Sequence, residues 1–377
     1  MNLDLTEEQQ MLKTSARDFF EKEFPKTLVR EMEEDAAGYS PAVWSKMAEL
    51  GWTGLIIPEE YGGSGFGFMD MVILLEEMGR ACLTGPFFST AVLSSLFLLE
   101  AGNEDQKKGL LASIANGQAI MALALTEPSA TFRADGINTT AALDKGGYVI
   151  KGTKLFVHDA HIANTLICAA RTRSWGPASE SISLFLVDAS SAGLKITPLQ
   201  SIADDKQNEV VFDAVTVPAE NLLGELNGVW PVVERVLQYS TVAKCAEMAG
   251  GADWALEATV EYSKERVQYG RPIGSNSSVQ HLLADMWLEV NMAKRYMYYA
   301  AWLLAEGLPC AMEIAAAKTT VNEAYKHATR MGVQLHGGIG TTRDHDMGLY
   351  YRRSRQAAIL YGDSDYCHEV VARQMGM

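Results

Sequence analysis

The stretch Lys264–Ile273 reads Lys-Glu-Arg-Val-Gln-Tyr-Gly-Arg-Pro-Ile and ends a long amphipathic pattern that starts near Val229. Gly270 and Pro272 end a helix here, because both residue types interrupt helical hydrogen bonding. An arginine at a rigid helix end can bind a pyrophosphate through paired, charge-assisted hydrogen bonds. Arg266 is therefore either a phosphate ligand or an ordinary solvated charge, and this stretch alone leaves both alternatives open.

Length and composition predict a globular protein of two or three packed units. The chain has 377 residues, of which 48% are hydrophobic and 21% charged. A net charge of -15 argues against a surface for nucleic acid or anionic membrane. The five cysteines are scattered, without a CxxC pair or a histidine at ligand spacing, which predicts reduced thiols, no metal site and a cytoplasmic location. The acidic N-terminus is unlike a signal peptide, and the apolar run Phe87–Leu99 is too short to span a bilayer.

Residues 1–120 have helical periodicity and predict an N-terminal helical domain. Thr6 is a candidate N-cap, with Gln9 as its capping-box partner. The further predicted helices are Ser40–Leu50, Asp70–Arg80, a segment from Gly85 to Leu99, and Asp105–Ala115. The glycine-rich loop at residues 61–65 is not a P-loop, because no Lys-Ser or Lys-Thr pair follows it.

Residues 121–226 predict a middle antiparallel β-domain or barrel, because short β-branched segments alternate there with turns. The predicted strands are Ala141–Leu143, Tyr148–Lys151, Leu166–Arg171, Ile182–Asp188 and Glu209–Val215. Residues 227–377 predict a C-terminal domain similar to a four-helix bundle. Its predicted helices are Trp230–Arg266, Ser278–Ala305, Pro309–Met331 and about Gly348–Tyr361.

This order of helical, β and helical parts is similar to that of the acyl-CoA dehydrogenase family, and five motifs agree. Leu125-Thr126-Glu127-Pro128 resembles the family's flavin-contacting loop, and Lys151–Val157 resembles the strand whose aromatic residue packs on the isoalloxazine. Arg266–Ile273 resembles the segment whose arginine reaches the flavin pyrophosphate across a subunit interface. Gln334–Gly340 resembles the loop against the adenosine part of FAD, and Pro58–Gly63 matches an N-terminal loop of the family.

The resemblance implies a set of cofactor-binding residues for FAD. They are Leu125, Thr126, Phe156, His158, Arg266, Gln268, Tyr269, Gln334, Gly337 and Gly338. Each motif has a simpler interpretation when taken alone: Phe156 as a core residue, Gly337-Gly338 as a turn between helices, and His336 as a structural histidine. The occurrence of all five motifs in order favours membership of the family.

The activity that the resemblance implies is α,β-dehydrogenation of an acyl-CoA thioester, with FAD carrying the redox step. The chemistry needs a well-placed base, and a carboxylate in an apolar pocket meets that need. The resemblance also implies a homotetramer or a heterotetramer with a related subunit, and an electron-transfer flavoprotein as electron acceptor.

Both locations of the family's usual catalytic glutamate lack a carboxylate here. Tyr361 stands at the C-terminal location, and Ser240 stands at the second location, 26 residues before Arg266. Glu247, seven residues after Ser240 on the same helix, is the first candidate base; its alternative is a polar helix contact. Asp363 is the second candidate, and its alternative is a helix cap.

Other departures leave the acyl group and the exact activity open. The usual Trp-x-Thr is Phe156-Val157-His158, so His158 would replace the threonine that bonds flavin N5. The ending Tyr361–Tyr366 resembles a subgroup in which several members work in heteromeric pairs. We therefore expect a dehydrogenase subunit for a cyclic, branched or dicarboxylic acyl-CoA. The alternatives are a non-catalytic supporting subunit and a flavin enzyme that performs elimination or reduction.

Overall fold

The computed structural model describes residues 5–377. These residues form two compact units. The helical unit consists of the residues up to Arg30, Gly67–Leu83 and Gln238–Met377, and the β-unit consists of Glu31–Phe66 and Thr84–Leu237. The division into domains 1–120, 121–226 and 227–377 stays a prediction, and residues 1–4 lie outside the described part. Among residues 5–377, no helix combines the length and apolar character that crossing a bilayer requires.

The helices and strands are numbered in chain order. The helices are α1 (Glu7–Glu23), α2 (Lys26–Glu34), α3 (Pro41–Glu49), α4 (Phe68–Ala81), α5 (Ser95–Ala101), α6 (Glu104–Gln106), α7 (Ala112–Ala115), α8 (Trp230–Glu265), α9 (Ser277–Ala305), α10 (Ala311–His336), α11 (Met347–Ala357) and α12 (Ser364–Gln374). The strands are β1 (Met121–Ala124), β2 (Thr140–Asp144), β3 (Gly147–His158), β4 (Thr165–Arg171), β5 (Ile182–Asp188), β6 (Leu194–Leu199), β7 (Gln207–Pro218), β8 (Leu222–Leu223), β9 (Val267–Gln268) and β10 (Arg271–Pro272).

The β-unit is built on an eight-stranded sheet with the order β6-β7-β3-β2-β4-β5-β8, and β1 also pairs with β4. Most neighbours are antiparallel, as predicted, but β1 and β2 run parallel to β4. The turn at Gly146-Gly147 joins β2 to β3, and the predicted boundaries of β5 are confirmed. Alternating inward residues such as Ile150, Phe185 and Phe212 form its core, as expected for a sheet with one buried face.

The helical unit joins α1, α4 and the C-terminal helices. α1 begins at the predicted capping box, in which Thr6 and Gln9 bind each other's backbone amides. α8 and α9 have nearly the predicted lengths, whereas α10 extends five residues beyond the predicted end at Met331. The sequence did not predict α12 or the β9–β10 hairpin that follows α8.

Two glycines allow the backbones of α4 and α8 to come into contact where the two helices cross. A Cβ added to Gly79 would lie 1.9 Å from the Glu247 carbonyl oxygen, and one added to Gly250 would lie 1.8 Å from the Glu76 carbonyl oxygen. Any larger residue would force the helices apart. This crossing fixes the part of α8 that carries Ser240 and Glu247.

Candidate active site

The predicted flavin loop and the predicted aromatic strand lie side by side in the β-unit. The Leu155 amide donates to the Thr126 carbonyl at 2.9 Å. The Lys154 amine donates to the Leu125 carbonyl at 3.2 Å. Leu125 itself is buried, so the parts of the loop that a ligand can contact are mainly its backbone and Thr126. The structure therefore brings together two segments that are almost thirty residues apart in the chain.

Phe156 lies where β3 departs from regular pairing with β7. The register shifts between Lys154 and Val157, and Phe156 has a φ of 58°. A bulge redirects a side chain, and a left-handed backbone is unusual for an aromatic residue. The ring is 46% exposed, although its neighbour Val157 is buried. Phe156 is therefore a surface platform of the β-unit and not a core residue.

A buried ion pair supports the predicted flavin loop. The Lys154 amine lies 2.7 Å from Glu127 Oε1, and both side chains are almost completely buried. The Glu127 carboxylate also accepts from the amides of Asn138 at 2.7 Å and Thr139 at 3.0 Å. Burial opposes ionisation, but Lys154 and the two amides outweigh it and lower the pKa of Glu127. Sequence reasoning missed this pair, because neither residue has a local signal for a charge partner.

His158 is held by a carboxylate at the end of β3. Its Nε2 lies 3.0 Å from Asp205 Oδ2, and Gln207 donates to the same oxygen at 2.7 Å. Ser201 donates to the other oxygen of Asp205. Burial disfavours the Asp205 anion, yet the contacts with His158, Ser201 and Gln207 lower the pKa of Asp205. The side chain of His158 stays partly exposed, so it is available for a ligand.

In the helical unit, the Arg266 segment and the Gln334 segment are neighbours. The rings of Tyr262, near the end of α8, and His336, at the end of α10, stack with centroids 4.2 Å apart. His336 Nδ1 lies 2.8 Å from the Gly332 carbonyl, and burial lowers the pKa of His336. His336 is thus a structural histidine that joins the two helix ends. Arg266 and Gln334 therefore belong to one region.

That region presents its predicted cofactor residues to solvent. Arg266, Gln268 and Gln334 are exposed, and Tyr269 is completely exposed at a φ of 53°. Gly337 and Gly338 are also exposed, and a Cβ on either would meet nothing within 4 Å. Gly337 has a φ of 69°, which a glycine adopts without strain. Within residues 5–377, the Arg266 guanidinium has no ion pair, so its donors are available for an anion.

The two positions that were predicted to correspond to the family's catalytic base, Ser240 and Tyr361, lie near each other in the helical unit. Thr241 Oγ1 donates to the Tyr361 carbonyl at 3.1 Å, which ties the segment after α11 to the turn of α8 that contains Ser240. Ser240 is completely buried and Tyr361 partly buried. Tyr361 has a φ of 57° and is followed by Gly362 at 115°. The two predicted positions therefore lie close together in the structure, and neither of them carries a carboxylate.

The two candidate bases have different surroundings. The Glu247 carboxylate is paired with Lys244 one turn earlier on α8, and its side chain is 25% exposed. Asp363 is exposed and caps α12, since its Oδ1 accepts from the Tyr366 amide at 2.7 Å. The helix cap considered for Asp363 is therefore present. The polar helix contact considered for Glu247 is likewise present, as its ion pair with Lys244, so Glu247 differs from Asp363 only in that it does not cap a helix.

Comparisons with known proteins agree along the whole chain. The models of the acyl-CoA dehydrogenase N-terminal, middle and C-terminal domains match residues 6–118, 122–215 and 228–376. A probable acyl-CoA dehydrogenase of Bacillus subtilis is 34% identical over 100% of both chains. An acryloyl-CoA reductase (NADH) of Anaerotignum propionicum is 32% identical, covering 100% of this chain and 96% of that protein.

A solved structure gives the same result for the fold. The structure of a glutaryl-coenzyme A dehydrogenase in complex with glutaryl-CoA superimposes with a TM-score of 0.94. The match covers 100% of this chain and 97% of that chain at 27% identity. The sequence order of the motifs and the three-dimensional arrangement therefore lead to the same family.

Proposed function

Because the chain belongs to the acyl-CoA dehydrogenase family of oxidoreductases, we propose that it binds FAD and dehydrogenates a non-standard acyl-CoA at the α,β bond. The acyl group would be cyclic, branched or dicarboxylic, and the reaction would take place in the cytoplasm. The observation that carries this proposal is Tyr361, whose carbonyl is bound by Thr241, next to Ser240 on α8, and which stands where the resemblance implies a smaller glutamate. A bulky phenol at this place favours a compact acyl group over a long linear one.

The residues present fit FAD. In the β-unit, Phe156 offers an exposed aromatic face and lies next to the backbone of Thr126. A flat, exposed ring on a strained bulge suits stacking against a flavin ring. His158 lies two residues further along β3, with one ring nitrogen committed to Asp205. The Phe156 region therefore provides an apolar face and a polar group for one cofactor.

The exposed donors of the helical unit fit the phosphate end of FAD. Arg266 offers a guanidinium that matches a pyrophosphate, and Gly337-Gly338 lets a nucleotide approach the backbone closely. We propose that these groups act on the FAD of a neighbouring subunit, together with Gln268, Tyr269 and Gln334. A homotetramer or a heterotetramer would supply that neighbour, and an electron-transfer flavoprotein would take up the electrons.

When bound, FAD would accept the hydride that leaves the β-carbon of the thioester. The chain itself must remove the α-proton. Glu247 is the proposed base, since its carboxylate lies on the same face of α8 as Ser240, two turns away. Lys244, between them, holds Glu247 by an ion pair and would orient it. Asp363 would support the segment of Tyr361 by capping α12.

A second candidate function is reduction of a CoA thioester. It is favoured by the similarity to a protein named acryloyl-CoA reductase, which matches this chain over its whole length. The lack of both usual carboxylates also favours a third possibility, a supporting subunit that completes the site of a related chain.

The test is a spectral titration of the purified chain. We expect a yellow protein with about one FAD per subunit, whose visible spectrum bleaches with one compact acyl-CoA in a panel of straight, branched, cyclic and dicarboxylic thioesters. Bleaching only by a reduced donor, with re-oxidation by an enoyl-CoA, would favour the reductase. A protein that stays colourless with added FAD would contradict the proposal and favour the supporting subunit.

A further inference from the structure

Lys318 is a completely buried lysine in α10 that has no ion pair among residues 5–377. Its amine donates to Asn322 Oδ1 at 2.6 Å and to the Ala357 carbonyl at 3.0 Å, and it lies 3.8 Å from Met248 Sδ. An ammonium without a carboxylate is unfavourable in a protein interior unless its neutral partners hold it well. A methionine at this position would fill a similar space without a charge, so the presence of an amine calls for an explanation.

One acceptor of Lys318, the Ala357 carbonyl, lies at the end of α11, directly before the segment Ala358–Asp363. Ala357 is the last residue of that helix. Asn322, one turn after Lys318 on α10, extends the contact: its amide nitrogen lies 3.2 Å from the Ala358 carbonyl and 3.4 Å from Ser364 Oγ. Lys318 and Asn322 together therefore hold both ends of the segment that contains Tyr361.

Contacts from other helices are needed to hold this segment, because the backbone conformation of its last residues is energetically unfavourable. Tyr361 and Gly362 both have positive φ, at 57° and 115°. A tyrosine in the left-handed region is strained and persists only where its surroundings fix it. Thr241 of α8 binds the carbonyl of Tyr361 from one side, and Lys318 and Asn322 of α10 bind the ends of the segment.

The charge of Lys318 is sensitive to moderately alkaline pH. Burial lowers the pKa of Lys318 to about 8, and Lys244 of α8 acts in the same direction. The thiols of Cys245 on α8 and Cys367 on α12, and the carboxylate of Asp363, act against the lowering. On losing its proton, the amine gives up one of three donors and its charge, and charge-assisted hydrogen bonds are the stronger ones.

We propose that Lys318 is a positioning residue, whose ammonium holds the Ala358–Asp363 segment, and therefore Tyr361, in place beside Ser240. This inference rests on the proposed function only in taking Tyr361 as part of the site. The segment is held when Lys318 carries its proton and is loosened when Lys318 is neutral.

The experiment is hydrogen exchange with mass spectrometry on the purified full chain, with rates corrected for the intrinsic effect of pH. In the wild type, the amides of residues 358–363 should exchange about tenfold faster at pH 9 than at pH 7. In Lys318→Met they should exchange fast at both values. Asn322→Ala should also speed exchange, while it keeps the pH dependence. Lys294→Met is the control: it removes a partly buried amine of the helical unit, which binds Glu76 and Asp253, and should leave the exchange of these six residues unchanged.

Unchanged exchange of residues 358–363 in Lys318→Met would overturn the proposal. So would a pH dependence that persists in that variant. If Lys318→Met does not fold, Asn322→Ala and the pH dependence of the wild type decide the question. Because the exchange does not require bound FAD or acyl-CoA, failure of the proposed enzyme function would be recognised separately in the spectral titration.

Discussion

Glu76 should make one of the largest electrostatic contributions to the stability of the helical unit. It is almost completely buried on α4, and Lys13 of α1 lies 2.9 Å from its Oε1 and Lys294 of α9 lies 3.0 Å from the same atom. Tyr298 donates to its other oxygen. Burial opposes the Glu76 anion, but the two lysines and the phenol outweigh that cost and lower its pKa to about 2. One carboxylate thus links three helices.

The substitution Glu76→Gln keeps the size of the side chain and removes its charge. A pKa lowered from 4.5 to about 2 is equivalent to about 3 kcal/mol of unfolding free energy, at about 1.4 kcal/mol per tenfold change in proton binding. The folded pKa is depressed, so this stabilisation is present above the unfolded pKa and is lost as the pH falls through the folded value. About 2 of the 3 kcal/mol should be gone by pH 3.

The assay is urea unfolding followed by circular dichroism between pH 7 and pH 3, at one protein concentration, because subunit association would otherwise shift the apparent stability. At pH 7, the variant should be about 3 to 5 kcal/mol less stable, the usual cost of leaving buried charges unpaired. This difference should shrink by about 2 kcal/mol at pH 3. Glu261→Gln, which removes an exposed partner of Lys264, should change stability by less than about 1 kcal/mol. A difference between wild type and Glu76→Gln that stays constant over this pH range would refute the reasoning.

Three further predictions concern the site and the assembly. Tyr361→Glu should create or raise turnover of straight-chain acyl-CoAs with an artificial electron acceptor, because it restores a smaller carboxylate; an FAD-loaded variant inactive on all of them would show that more than the base is lost. Glu247→Gln should slow flavin bleaching in stopped flow at least about a hundredfold, and an unchanged rate constant would leave Glu247 as a structural residue. Light scattering and native mass spectrometry should show a tetramer of one chain or of two related chains, since exposed apolar residues on α9 such as Trp287 and Met292 favour burial; a stable monomer at micromolar concentration would contradict this.

Elements with strong local signals could be predicted from the sequence. The capping box at Thr6 and Gln9 fixed the start of α1, and Gly146-Gly147 located the β2–β3 turn. The long periodic pattern gave α8 to within one residue at its end. In each case, the deciding interactions lie within a few residues of each other, so the pattern contains them.

Elements stabilised by distant partners were missed. β1 is only four residues long, Met121–Ala124, and exists because it pairs with β4 more than forty residues away. Phe87–Ser94 forms a π-helical segment that leads into α5, where a regular helix was predicted; π-turns have no simple periodic signal. β6 and β8 likewise depend on pairing with β7 and β5.

The same reason limited prediction of the site. The motifs singled out the predicted flavin loop, Phe156 and Arg266, because the family resemblance depends on short stretches. The Glu127–Lys154 pair and the support of the Tyr361 segment by Lys318 depend on side chains that meet only after folding. A charged residue within a helix or strand is usually solvated, so no local pattern predicts that these two lysines lie in the interior.

The crossing of α4 and α8 has a consequence for how the chemistry of this chain can change. Gly79 and Gly250 bring the two backbones into direct contact at the carbonyl groups of Glu247 and Glu76. The position of α8 is therefore fixed by main-chain atoms, which no exchange of side chains at Ser240, Glu247 or Tyr361 alters. Replacing or moving a proton-abstracting group among these positions then leaves the scaffold intact. Because the helix contact depends on main-chain atoms, the fold and the catalytic groups can change independently during evolution. A protein of this fold can lose one base and acquire another while every intermediate sequence still folds.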